Sequence, residues 1–92
     1  MEISFSPKCL KQLQKIKKID VQLFTKIQNK LTLFAQKPDH PSLRLHKLKG
    51  GQRESWSVSV DMSYRLLFYY KQEKSQTEVV FFSFGTHEQV YK

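Results

Sequence analysis

The sequence predicts an α+β fold: a short N-terminal strand, a two-helix hairpin, then a four-stranded antiparallel sheet. Three observations predict it. Apolar residues recur at helical spacing between Pro7 and Phe34, and the period falls to two after Pro41. Helical and strand segments are also segregated along the chain, which excludes the alternating order of a parallel α/β sheet. With 92 residues there is room for one core, so residues 1–92 are read as a single domain. The composition supports that core, at 39% hydrophobic with seven Phe, four Tyr and one Trp.

Each element has a local cause. Ile3-Ser4-Phe5 alternates as a strand. Ser6-Pro7 then pairs an N-cap residue with a proline in the first turn, which starts a helix. Leu10, Leu13 and Ile16 form its apolar stripe, and Lys8, Lys11, Lys15, Lys17 and Lys18 lie off it. Asp20 caps a second helix whose Phe24, Ile27, Leu31 and Phe34 share one face. Lys37 to Pro41 holds two prolines and ends that helix in a turn. Leu43–Leu48 reads as a strand closed by Gly50-Gly51, and Trp56–Val60 as a second with strict alternation. Asp61-Met62-Ser63 turns the chain into a strand over Tyr64–Tyr70. The polar stretch Lys71–Thr77 reads as a loop, and Glu78–Phe84 as a strand buried on both faces. Gly85-Thr86 is expected to break that strand before the tail 87–92. The helix pair is expected to cover one sheet face, leaving the other face, or the groove beside it, for function.

Sixteen Lys and Arg against eight Asp and Glu give a net charge of +8, which suits a polyanionic partner, either nucleic acid or an acidic protein. One cysteine, Cys9, excludes an internal disulfide. The histidines at 40, 46 and 87 lack metal-ligand spacing, so neither a metal nor a cofactor is expected. His40, between prolines, is assigned to structure. No apolar run approaches the ~18–20 residues that span a bilayer, and the N-terminus lacks a signal peptide's basic and apolar regions. A cytoplasmic protein with no membrane partner is the expectation.

Three groups of residues could carry chemistry. Arg65, in mid-strand, is placed by pleat parity opposite Leu66 and Phe68, on the face of Leu67 and Tyr69. There it either grips a phosphate or pairs with Glu78 or Asp61. His46, Lys47, Lys49 and Arg53 surround a glycine loop that could follow a nucleic-acid backbone or be merely solvated. His87 and Tyr91 lie four apart in the tail, and histidine titrates near working pH.

Taken in order, His46-Lys47-Leu48-Lys49-Gly50, Trp56-Ser57-Val58, Tyr64-Arg65-Leu66-Leu67-Phe68 and Gly85-Thr86-His87-Glu88-Gln89-Val90-Tyr91 resemble the RelE/ParE toxin superfamily. The nearest likeness is to its RelE/StbE and YafQ-like messenger-RNA interferases, and it covers essentially the whole chain. The resemblance implies a toxin of a type II toxin–antitoxin pair that docks in the ribosomal A site and cleaves messenger RNA. The 2′-hydroxyl attacks its own 3′-phosphate, giving a cyclic phosphate and a 5′-hydroxyl without a metal. By position, Arg65 matches the phosphate-stabilising arginine, His87 the catalytic histidine and Tyr91 the near-terminal tyrosine. Lys47 and Lys49 match RNA-positioning cations, with His46 and Arg53 as further candidates. An acidic or amphipathic antitoxin is the implied protein partner. The chain departs from YafQ-like members, which carry a His and an Asp where Val58, Val60 and Tyr64 stand here. It departs from RelE, whose extra cations before the terminal tyrosine are replaced by Thr86 and His87. Two alternatives stay open: a ParE-type poison of DNA gyrase, and a catalytically silent RNA-binding module of the same fold.

Overall fold

Both helix starts are set by side chains that accept otherwise unpaired backbone N–H groups. A computed structural model describes residues 2–50 and 53–90. In it, strand β1 (Glu2–Phe5) leads to Ser6, whose Oγ accepts from the Cys9 amide at 3.1 Å and opens helix α1 (Pro7–Ile19). Asp20 closes α1 through its own N–H to the Ile16 carbonyl at 2.8 Å. Its Oδ1 accepts from the Leu23 amide at 3.1 Å and starts helix α2 (Val21–Gln36). One residue thus ends one helix and begins the next, which fixes the hairpin.

The buried side of α1 is Cys9 and Leu13 with Ile16 packed beside them. Leu10, expected on the stripe, is 45% exposed, and Cys9 takes its place at the start of the buried side. On α2, Leu23, Ile27 and Phe34 are buried, and Phe24 and Leu31 pack against the core half-buried. Phe34 reaches the sheet, meeting the Phe68 ring edge-on at 5.1 Å and that of Phe81 at 5.6 Å. Burying a side chain of this size stabilises the fold by about 1.5–3 kcal/mol.

The sheet has five strands where four were expected, in the order β1-β5-β4-β3-β2. The remaining strands are β2 (His46–Lys47), β3 (Trp56–Ser59), β4 (Tyr64–Glu73) and β5 (Gln76–Thr86), followed by a one-turn helix α3 (His87–Val90). The additional strand is β1, which pairs in parallel with β5 from Glu2↔Glu78 to Phe5↔Phe81. All other pairs are antiparallel.

Three other boundaries differ from expectation. The predicted strand over Leu43–Leu48 shrinks to His46–Lys47, because Pro41–Leu43 forms a 3-10 turn and Arg44 takes a left-handed φ of 48°. His40 caps that turn, its Nδ1 accepting from the Ser42 amide at 3.1 Å, a structural role as expected. The stretch Lys71–Thr77 is not a loop: β4 and β5 run on as a two-stranded arm that turns at Lys74, with φ of 53°. Nor do Gly85 and Thr86 break β5, since they pair with Arg65 and Tyr64. Asp61-Met62-Ser63 is the expected turn, and the Asp61 carboxylate accepts from the Ser63 and Tyr64 amides at 2.8 Å each.

Candidate functional site

The register sorts side chains between the two faces. Tyr64, Leu66, Phe68, Phe81 and Phe84 belong to the core beneath the helices, with Tyr64 and Phe84 stacked at 5.3 Å. Arg65, Leu67 and Tyr69 therefore occupy the second face, as pleat parity predicts. Cross-strand partners share a face, so the row Ser59–Arg65–Gly85 lies beside the row His46–Ser57–Leu67–Ser83. Successive rows are about 6–7 Å apart. An irregularity in the β4–β5 pairing, where Leu67↔Ser83 is followed by Phe68↔Phe81, leaves Phe82 without a partner across the ladder. Its ring lies 5.7 Å from Tyr69 on the second face. This bulge is why β5 is not uniformly buried: Val79, Val80 and Phe81 are buried, but Phe82 and Ser83 are half-buried.

The floor of the second face is closed, with Ser57, Ser59, Leu67 and Val80 all buried. Arg65, Tyr69 and Phe82 rise half-buried around it. Arg65 is held by one nitrogen. Its Nη1 donates to the Asp61 carbonyl at 2.9 Å, to Ser59 Oγ at 3.0 Å and to the Tyr64 carbonyl at 3.3 Å. Ser59 Oγ in turn donates to the Asp61 carbonyl at 2.9 Å. Among the described residues, all hydrogen bonds of the guanidinium run through Nη1. The two acidic partners considered for Arg65 are engaged elsewhere. Glu78 accepts from Ser4 Oγ at 2.9 Å, and the Asp61 carboxylate faces Lys26 at 3.6 Å. Arg65 is thus anchored by neutral oxygens, and among the described residues no carboxylate pairs with it, the condition for binding an anion.

The predicted cations separate on inspection. His46 pairs with Ser57 and so shares the face of Arg65, with its Nδ1 3.1 Å from the Arg44 carbonyl. Lys47 pairs with Trp56, a core-face residue, and its ammonium bonds Glu54 at 2.8 Å with both groups largely exposed. Exposed pairs of this kind contribute about 0–1 kcal/mol and break readily. Lys49 lies exposed beyond β2. Arg53 stands with its guanidinium 4.1 Å over the Tyr69 ring, a cation–π contact that carries it onto the second face. His87 begins α3 directly after Thr86, the partner of Tyr64, two positions past Gly85 of the Arg65 row, and is exposed. The fold therefore brings Arg65, His46 and Arg53 to one face and sets Lys47 on the other, and the turn α3, which begins at His87, lies over Gly85 on the Arg65 face. Tyr91, Gly51 and Gln52 lie outside the described residues.

Sequence reasoning missed Ser59 and the Asp61 carbonyl, because only the strand register reveals them beside Arg65. It also missed Gln89, although Thr86-His87-Glu88-Gln89 carries the Thr-x-x-Gln pattern of a capping box. Among the described residues no group of three His, Cys, Asp or Glu could hold a metal ion. No described helix is long and apolar enough to cross a membrane.

A sheet with a helix pair on one face and a terminal turn over the other is a fold found in solved toxin structures, the fold the resemblance implied. No family model matches the chain, and no curated protein matches it in sequence. Solved structures match it in fold. The chain is similar to a YoeB/ParE toxin from Agrobacterium tumefaciens, with a TM-score of 0.77 and 15% identity over 95% of this chain and 99% of that one. It is similar to YafQ from E. coli strain BL21(DE3), with a TM-score of 0.75 and 17% identity over 99% and 98%. It is also similar to the E. coli DinJ–YafQ toxin–antitoxin complex, with a TM-score of 0.73 and 19% identity over 99% and 97%.

Proposed function

We propose that this protein is the toxin of a type II toxin–antitoxin pair and cuts messenger RNA in the ribosomal A site without a metal. The observation that carries the reading is Arg65: a mid-sheet guanidinium anchored by neutral oxygens through one nitrogen, in the strand row that ends at Gly85, two residues before His87. In the reaction, the 2′-hydroxyl oxygen forms a bond to the adjacent phosphorus, and the bond from phosphorus to the 5′-oxygen breaks. The proton leaving the 2′-oxygen passes to a base, and the departing 5′-oxygen receives one from an acid. His87 and Tyr91 divide these two transfers, and Arg65 bears the charge that gathers on the phosphate oxygens. Arg53 and His46 guide the strand along the same face; Lys49, beyond β2, and Lys47, from the opposite face of that edge strand, add positive charge at the sheet edge. Similar toxins form complexes with antitoxins, and the cognate antitoxin here is an acidic or amphipathic segment that covers the cationic face.

The test is primer extension on translated messenger after induction. New 5′ ends should appear for the native chain and disappear for Arg65→Ala and His87→Ala. Growth arrest without new ends would refute the nuclease reading. Toxicity unchanged by both substitutions would point to the silent RNA-binding module. The similarity to a toxin named YoeB/ParE favours one second reading, a poison of DNA gyrase. An SOS response with gyrase-trapped DNA breaks would establish that reading in place of the first.

A further inference from the structure

The turn that carries His87 is too short to stand alone. Isolated helices below about 12–15 residues are marginal in water, and α3 spans only His87–Val90. Two features hold it. The first is reciprocal capping: Gln89 Oε1 accepts from the Thr86 amide at 2.9 Å, and Thr86 Oγ1 accepts from the Gln89 amide at 3.3 Å. His87 lies inside that loop of bonds as the first helical residue. The second is Gly85. A Cβ there would stand 2.7 Å from Gln89 Oε1, 3.0 Å from Gln89 Cβ and 3.3 Å from Val90 Cγ1. Gly85 is the cross-strand partner of Arg65, so that Cβ would project on the face of Arg65. The missing side chain lets α3 fold back onto the strand there, and Gln89 fills the space.

We propose that Gln89, seated on Gly85, is a positioning residue that fixes His87 relative to Arg65. The proposal rests on the nuclease reading above and deepens it. Gln89 transfers no proton itself; it determines where the turn, and with it His87, leaves β5. The glycine requirement at 85 is steric, not conformational, because its φ is not in the left-handed region. Its effect therefore passes through Gln89.

Three variants of the full chain test this. Gln89→Leu keeps bulk but removes the acceptor, Gln89→Glu keeps an acceptor suited to a capping box, and Gly85→Ala displaces the side chain. Heteronuclear NMR relaxation reads the order of residues 86–90, and thermal melting checks the rest of the fold. Single-turnover cleavage on programmed ribosomes separates the rate from the half-saturating toxin concentration. Gln89→Leu and Gly85→Ala should loosen 86–90 and lower the rate roughly tenfold to a hundredfold, with half-saturation unchanged. Gln89→Glu should restore both order and rate. The proposal is overturned if Gln89→Leu leaves 86–90 ordered, if it loosens the turn without slowing cleavage, or if Gln89→Glu fails to rescue. A native chain that makes no cut refutes the nuclease reading and the catalytic half of this proposal. The relaxation data then decide separately whether Gln89 holds the turn.

Discussion

Replacing Arg65 with lysine should cost nearly as much activity as replacing it with alanine. The reason lies in how the guanidinium is shared. Nη1 alone meets three oxygens, at 2.9, 3.0 and 3.3 Å, which leaves the rest of the fork for a phosphate. An ammonium has three donors, and the same three oxygens can take them all, so Arg65→Lys keeps the charge but turns it inward. Loss of one donor that serves the transition state costs about 10²–10³ in rate, or about 2.7–4 kcal/mol. Stability should hardly change. Without the arginine, Ser59 Oγ still donates to the Asp61 carbonyl at 2.9 Å, so no buried hydroxyl is stranded. The loss should stay within about 1 kcal/mol in urea unfolding. Single-turnover cleavage by the native chain, Arg65→Lys and Arg65→Ala provides the comparison. An Arg65→Lys variant within threefold of the native rate would refute the assignment of the free half of the guanidinium to phosphate.

Three further predictions concern the scaffold. Phe34 is fully buried between Phe68 and Phe81, so Phe34→Ala should cost about 3–5 kcal/mol of a total of about 5–15 kcal/mol in chemical unfolding. A loss below about 1 kcal/mol would contradict the packing described. For Asp61, burial pushes the carboxyl upward, but the Ser63 and Tyr64 amides and Lys26 together outweigh it and leave it below the ordinary value of 3.8. Its folded value is depressed, so its stabilisation is complete above the ordinary value and is lost as pH falls through the folded one. The stability gap between the native chain and Asp61→Asn should narrow on acidification, and a gap that widens would count against these bonds. Burial pushes the Cys9 thiol up to about 11, only partly countered by Lys8. Cys9 should resist a thiol reagent at pH 8 in the folded protein and react promptly once guanidinium unfolds it.

What could be read from the sequence was what local chemistry determines. Ser6 and Asp20 announce their caps by residue type, and α2 announces its buried face by the spacing of Ile27 and Phe34. The failures share one cause, which is that long-range pairing overrides local composition. Gln72 to Thr77 is polar because the arm there has no core face to fill, yet ladder bonds keep the strands extended up to the Lys74-Ser75 turn. Gly85 resembles a strand terminator until its pairing with Arg65 shows that the missing side chain seats α3. The parallel pairing of β1 with β5 joins residues more than seventy positions apart, and no local period encodes it. In the candidate site, parity alone placed Arg65. Its anchoring by Ser59, and the divergence of His46 from Lys47, required the register. The coupling of Gln89 to Thr86 was legible as a capping pattern, but its bearing on His87 required knowing that β5 continues to Thr86.

If Arg65 and His87 act together on a phosphodiester, as proposed, the chemistry of the cut ends will show it. Messenger cut by the purified protein on translating ribosomes can be examined for its terminal groups. The expected products are a 2′,3′-cyclic phosphate upstream and a 5′-hydroxyl downstream, both absent with His87→Ala. A 5′-phosphate downstream, or equal cutting by His87→Ala, would contradict it.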